Sequence, residues 1–406
     1  MHGTEQGESR VGDDASAVSL VAGGALLAVA VVLTALNLRP AVTSVAPLLG
    51  DMRNELGTSA TWAGLLTTMP GLCFAAAGLA APRLAQRLGL GHVISLALVV
   101  LTAGVAIRAV DGPYVVIGAT LLACAGIALI NVLIPVVIKG SFAARIGLMT
   151  GIYTAALQGG GALGSALTPG LEGPLGGWRE ALAAWAVVAL IALAAWLPAV
   201  RRHGGSWAAA ATPTGVKPRS LLRNRLAWIV TLFFGTQAFL AYVVMGWLPQ
   251  IFIDNGVGKV EAGLLTGLSS LIGVPVGLVI SPLAARSASQ SGWIITLGVT
   301  GIVGTIGLML APAAAPVVWS VLIGVGMSAF SLALTVIALR ARNAEDTAQL
   351  SGMAQGFGYL LAGTGPFLFG LLHDVSGDWT IPFVMFLAVY AVQLVAGTLA
   401  GRARFV

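Results

Sequence analysis

Carboxylates are missing from the apolar stretches of this sequence. Of its 406 residues, 57% are hydrophobic and 9% charged, whereas a soluble domain carries about 25% charged residues. The fifteen Asp and Glu fall in the polar N-terminal segment or near the ends of hydrophobic runs. That argues against an intramembrane acid acting as proton relay, a common device of proton-driven carriers. Histidine is equally scarce: His2 and His203 lie in polar segments, His92 and His373 at the ends of apolar runs. Cys73 and Cys124 sit inside apolar runs and read as small hydrophobes, with no disulfide framework or metal pattern around them. No His/Cys/Asp cluster or nucleophile constellation supports an enzyme, and no cofactor or metal is expected. The first 17 residues lack the cationic start and cleavage site of a secretory signal.

What the sequence has instead is hydrophobic length. Apolar stretches near the roughly 20 residues that span a bilayer as helix recur at 20–49, 60–81, 92–108, 113–138, 146–168, 181–200, 226–252, 262–284, 292–310, 315–338, 350–371 and 381–400. Twelve helices in a lipid bilayer make this an all-α integral membrane protein. The net charge of +6 is no nucleic-acid footprint, because the cations are sorted by side. With the N-terminus inside, all but five of the 21 Lys and Arg fall in inner segments. Arg53, Arg108, Arg179 and Lys259 fall in outer ones and Arg39 in neither. The positive-inside rule then places both termini in the cytoplasm of a multi-pass protein of the cell (inner) membrane.

The chain also repeats itself. AGLLT at Ala63–Thr67 returns at Ala262–Thr266, and Leu84-Ala85-Gln86-Arg87 returns as Leu283-Ala284-Ala285-Arg286. Lys139 matches Arg340 at the inner end of the fourth helix of each half, and Trp178 in GGW matches Trp379 in GDW. Six plus six helices related by a parallel repeat resemble the major facilitator superfamily, two pseudo-symmetric six-helix bundles. Residues 1–17 read as a disordered cytoplasmic tail and 18–200 as the first bundle. Residues 201–225 read as a basic cytoplasmic linker and 226–406 as the second bundle. A monomer is expected.

Arg39 breaks the depletion of charge. It lies about ten residues, roughly 15 Å at the helical rise, from the outer end of the run Val18–Leu49, which puts it near mid-bilayer. A cation there costs on the order of 3 kcal/mol on insertion scales, and no acid lies at comparable depth in another run. An uncompensated intramembrane cation invites a mobile anion or an electron-rich ligand. Pro40 removes one backbone donor and leaves the carbonyl of Leu36 without its helical partner; local unwinding beside a buried charge is a common way to build a transporter site. Thr34, Asn37, Ala41 and Ser44 follow helical spacing, a small and polar face expected to look toward protein or water.

The repeat cross-examines these residues. Asn37 corresponds to Gln237; Thr154 and Gln158 on the fifth helix correspond to Gln355 and Tyr359 on the eleventh, each pair spaced i, i+4 on one face. Matching polar faces in both halves are expected of a shared central cavity. Arg39 has Phe239 as its counterpart, so the cavity is symmetric in shape and asymmetric in charge. Asn131, Ser328, Ser331 and Thr335 complete the lining. The expected substrate-binding set is Arg39, Asn37, Asn131, Thr154, Gln158, Gln237, Gln355 and Tyr359, the alternative for the amides being interhelical hydrogen bonding. Tyr153, Tyr242 and Trp247 read as packing or interface aromatics. Gly151, Gly159, Gly160, Gly161, Gly164 and Gly170 give the fifth helix a face for close helix packing.

The run LNLRPAVTSVAPLL (Leu36–Leu49) resembles the cyanate and 2-nitroimidazole porter family, a branch of the same superfamily. AGLLTTMPGLCFAAAGLAAPRLAQRLG (Ala63–Gly89) and QGFGYLLAGTGPFLFGLLHD (Gln355–Asp374) look like that family's second and eleventh helices. The resemblance implies a secondary active or facilitative transporter of a small anionic, polar planar or nitro/nitrogen-heterocyclic compound. It also implies rocker-switch alternating access, with Asn37 and Arg39 meeting the ligand. Two features depart from superfamily patterns. Gln86 stands where the loop motif after the second helix has Asp, and Gly160-Gly161 stand where drug/proton antiporters carry Gly-Pro. The first puts in doubt the charge relay that locks the outward-open state in many relatives. The second weighs against the alternative reading, a multidrug exporter driven by proton antiport.

Overall fold

Lipid offers no partner to backbone polar groups, so a chain this apolar satisfies them internally as helix. The computed structural model describes residues 24–142, 145–203, 221–342 and 344–406, and among them there is no strand. The expected tail at 1–17 and residues 204–220 of the expected linker lie outside the described residues. The first span is broken into α1 (24–37), α2 (Pro40–Thr43), a 3-10 turn (Ala46–Leu48) and α3 (Leu49–Leu56). There follow α4 (Ala60–Leu88), α5 (Leu90–Ile107), α6 (Pro113–Ser141) and α7 (Ile146–Leu175). The sixth span is α8 (Trp178–Ala183) with α9 (Trp185–His203). The second half comprises α10 (Arg225–Asp254), α11 (Lys259–Arg286), α12 (Ser291–Leu310), α13 (Pro316–Met327) with α14 (Ala329–Arg340), α15 (Ala344–Ser376) and α16 (Thr380–Ala400).

Among the described residues nine spans are long and apolar enough to cross a membrane by length and composition. The other three, α4, α7 and α15, have 29, 30 and 33 residues and are richer in small and polar side chains. All three also meet the opposite half: α4 runs along α15, and α7 along α11, itself one of the nine. Facing protein rather than lipid, they need less apolar surface. Gly71 and Gly363 show how close this seam is, since a Cβ on Gly71 would lie 2.7 Å from the Cα of Gly363. One apolar core fills the first half around Trp196, another fills the second around Phe233 and Phe234. A third joins Leu48 and Met52 to Trp247 and Phe369 across the seam.

The repeat extends to individual hydrogen bonds. Near the end of the first span of each half stands an acid, Glu55 and Asp254. Each accepts from the indole N–H at the start of the sixth span of its half, Trp178 and Trp379. Deeper in the membrane Asn37 Nδ2 donates to the Val188 carbonyl on α9 (3.1 Å), and its counterpart Gln237 accepts from Gln393 Nε2 on α16 (3.0 Å). In both halves, therefore, an amide ties the first span to the sixth.

The end of the bundle that carries these acids also clasps the two halves together. Lys259, the first residue of α11, bonds Asp51 and Glu172 of the first half. At the equivalent start of α4, Asp374 of the second half accepts from the backbone N–H of Ala60 (3.0 Å) and Thr61, and from the Thr61 hydroxyl. A carboxylate there satisfies orphan helix donors and complements the helix dipole. Hydrogen bonds to a charged group contribute about 1.5–3 kcal/mol each, so Asp374→Asn should shift the closed acidic end toward opening roughly tenfold, about 1.4 kcal/mol. Thr67, at the seam against Gly246, provides the reporter. In detergent, Thr67→Cys should react with maleimide about tenfold faster in the Asp374→Asn background. Equal rates would show that the clasp does not hold this end shut.

Candidate functional site

The site starts from a break that Pro40 imposes. With no N–H at residue 40, α1 stops at residue 37, Leu38 and Arg39 form a turn, and Pro40 opens α2 at a position where its fixed φ suits a new helix. The orphaned carbonyl of Leu36 faces α7 at Gly160, occupying the space where a Cβ would sit. Gly161 and Gly164 bring α7 equally close to Arg39, Pro40 and Thr43, and the Thr43 hydroxyl donates to the Gly161 carbonyl at 2.8 Å. The glycines of the fifth span thus hold the break in place, and the stem of Arg39 lies along them.

Its guanidinium crosses the seam. Arg39 Nη1 lies 3.6 Å from the thioether sulfur of Met245 on α10, a weak acceptor, and no carboxylate pairs with it among the described residues. The phenols of Tyr242, Tyr359 and Tyr153 are near enough to interact with its charge. The rings of Tyr242 and Tyr359 are almost parallel, 11° apart with centroids 6.3 Å from each other. Phe74 and Phe234 each pack 5.3 Å from Tyr359. Tyr153 donates to Asn131 Oδ1 at 2.9 Å, and Gln158 Nε2 reaches across the seam to the Ser270 carbonyl at 3.5 Å. This arrangement presents one cation, three phenols and flat aromatic faces between the halves.

Of the residues singled out in the sequence, Tyr359 is near enough to Arg39 to interact with its charge, and Asn131 bonds Tyr153, which is near enough as well. Gln158 lies one turn from Gly161 on the same helix. Gln355 is one turn from Tyr359 and donates to Ser351 Oγ at 2.7 Å; Thr154 is exposed and bonds the carbonyl of Thr150 in its own helix. Asn37 and Gln237 are not brought to this cluster. Both amide donors of Asn37 are occupied by the carbonyls of Leu33 and Val188, and Gln237 is fully buried between Gln393 and the Met327 carbonyl. Of the face marked by Thr34, Asn37, Ala41 and Ser44, Asn37 bonds Val188 and Ala41 packs in the core of the first half. The buried Thr34 and Ser44 hydroxyls have no hydrogen-bond partner among the described residues. Ser328 and Thr335 bond carbonyls of their own helices. Trp247 is an aromatic of the acidic end, packed on Phe369 and Trp379.

Tyr153, Tyr242 and Met245 are members that composition gave no reason to select, since membrane helices use aromatics and Met freely for packing. Arg108 is a larger omission. Its place beside Asp111-Gly112-Pro113 reads as a loop, yet it is 1% exposed. Arg108 donates to the Ala41 carbonyl and to Thr120 Oγ1 (3.1 Å). Beyond the break, Val45 N–H turns to the Val42 carbonyl, which leaves the Ala41 carbonyl to accept from Arg108. A second buried guanidinium therefore secures the segment that presents the first.

Two six-helix halves enclosing a polar contact at their seam define a membrane transporter rather than an enzyme. The chain belongs to the Major Facilitator Superfamily, whose family model matches residues 26–366. It is 37% identical over 383 residues to the uncharacterized transporter YycB of Bacillus subtilis (strain 168), covering 93% of each chain. It is 38% identical over 378 residues to the 2-nitroimidazole transporter of Escherichia coli (strain K12), covering 93% of this chain and 95% of that one. To the cyanate transport protein CynX of the same organism it is 31% identical over 370 residues, covering 91% and 95%. Among solved structures a mutant of the nucleoside transporter NupG superposes with a TM-score of 0.74 at 12% identity, over 92% of this chain and 99% of that one, a likeness of fold.

Proposed function

We propose that this protein carries a small, planar, anionic or nitro-substituted compound across the cell membrane by rocker-switch alternating access, with Arg39 as the primary contact. The observation that carries the reading is the state of Arg39. It is a guanidinium at the seam of two bundles, hydrogen-bonded to a thioether, with three phenols near enough to interact with its charge. A guanidinium so weakly satisfied in a low-dielectric setting favours a ligand that accepts two hydrogen bonds in its fork and brings negative charge. Tyr242 and Tyr359 supply flat faces beside the charge, which suits a planar group. Two of the similar proteins are named for 2-nitroimidazole and cyanate transport, small planar compounds both.

The same reading makes Tyr359, Gln158, Asn131, Gln355 and Thr154 secondary contacts or cavity lining, and it reassigns Asn37 and Gln237 to tying helices together. It also turns the acidic end outward and the arginine-rich end inward, on the distribution of Lys and Arg, and keeps the expected bundles at 18–200 and 226–406. Drug/proton antiport commonly uses an intramembrane carboxylate, and the acids of the sequence lie in its polar N-terminal segment or near the ends of its apolar runs, which weighs against that alternative. The test is ligand-induced stabilisation of the purified protein with cyanate, nitrate, benzoate, 4-hydroxybenzoate and neutral 2-nitroimidazole. A bound ligand at 100 times its Kd adds about 2.7 kcal/mol to stability, a rise of several degrees in apparent Tm. Stabilisation by at least one member of the panel is expected; none by any member would remove this reading.

A further inference from the structure

The charge balance of the site constrains how the carrier can cycle. Arg39 lies between the halves, so every passage between the two open states takes its guanidinium through a closed arrangement in which water has been excluded. When the site is empty, the described residues offer it no negative charge: the Met245 sulfur, the phenols of Tyr153, Tyr242 and Tyr359, and the amides of Gln158 and Asn131 are all neutral groups. The second buried cation, Arg108, is tied to the same broken span through Ala41 and adds to the positive potential. The sequence has no carboxylate within any of its apolar runs that could swing in to help. A monovalent anion seated in the Arg39 fork neutralises that guanidinium and fills its hydrogen bonds.

We infer that the empty carrier is trapped and that the protein works as an obligatory anion exchanger, taking one anion in only as another goes out. The inference rests on Arg39 being the ligand contact. A desolvated mid-membrane cation is costly, and the expected consequence is that the empty carrier reorients about a hundredfold more slowly than the loaded one. That ratio corresponds to about 2.7 kcal/mol at 1.36 kcal/mol per tenfold in rate. One-for-one exchange of monovalent anions carries equal charge in opposite directions, so it moves no net charge and is not driven by membrane potential. The retained charge, rather than a proton or sodium ion, is what couples the two fluxes.

The experiment uses the full-length protein in liposomes and radiolabelled 4-hydroxybenzoate or benzoate, whichever stabilises the purified protein more. Vesicles contain either the same unlabelled anion or potassium gluconate alone. Initial uptake into the preloaded vesicles is expected to be about a hundredfold faster, with no change when valinomycin and a potassium gradient impose a potential. Equal uptake into both kinds of vesicle, or net uptake driven by the potential, overturns the inference. Binding keeps its failure separate from failure of the site assignment. If the probe stabilises wild type but not Arg39→Gln while uptake is equal in both vesicles, the site stands and obligatory exchange falls. If the probe stabilises Arg39→Gln as well as wild type, or no anion of the panel stabilises either, the site assignment falls and takes the inference with it. Binding without uptake into either kind of vesicle also overturns it.

Discussion

Arg39→Gln is expected to yield a folded protein that no longer responds to anions. The fold should lose little, because the hydrogen bond that guanidinium makes is the long contact to Met245 Sδ, while the break itself is held by Thr43, Pro40 and the glycines of α7. Removing an uncompensated charge from mid-membrane also lifts a cost on the order of 3 kcal/mol, so the ligand-free variant should melt at or above the wild-type temperature. Binding should suffer in the opposite sense. Loss of one partner of a desolvated charge pair costs about 2–5 kcal/mol, a drop in affinity of roughly thirtyfold to several thousandfold. The two proteins, melted side by side with the panel of anions, give the answer: stabilisation in wild type only. Equal stabilisation in both would make Arg39 a structural residue.

Gly160→Leu should be more damaging than its change in volume suggests. Small-to-large changes in packed interiors cost about 1–3 kcal/mol when neighbouring side chains can shift. At Gly160 the neighbour is the Leu36 carbonyl, a backbone atom that Pro40 has already deprived of its helical donor. It cannot retreat without moving the turn that carries Arg39. The expected result is loss of the monodisperse species on size exclusion. Any folded fraction should fail to respond to anions. Gly159→Leu is the control, since a Cβ there meets nothing within 4 Å, and it should behave as wild type. If Gly160→Leu binds and transports normally, the close approach of α7 to the break is dispensable.

The parts of this molecule written in its hydrophobic periodicity were legible before any coordinates. Twelve spans, the repeat, and a break at Pro40 all follow from the length of apolar runs and the chemistry of one imino acid. The helices run longer than their apolar stretches at α4, α7 and α15, because a helix continues beyond the hydrocarbon layer wherever its own backbone bonds can. Arg39 stood out because a charge inside an apolar run is costly and therefore informative. Arg108 did not, because it directly follows the last residue of α5 and reads as part of a loop, yet a long side chain can reach back into the bundle. The symmetry of Asn37 and Gln237 was real but ambiguous: a duplicated unit preserves its internal fastenings as readily as it preserves a cavity wall. The hydrogen bonds to Val188 and Gln393 separate the two meanings.

Those fastenings also bear on how the chain is made. Asn37 to Val188 and Glu55 to Trp178 and Arg179 all join residues of the first six spans, so a nascent chain can finish its first half before the seventh span leaves the ribosome. Asp51 and Glu172 then wait at the bilayer surface for Lys259, and the start of α4 waits for Asp374. The contacts that join the halves can form only after that, as Lys259 and then Asp374 are made, so the second half assembles against a first half already finished.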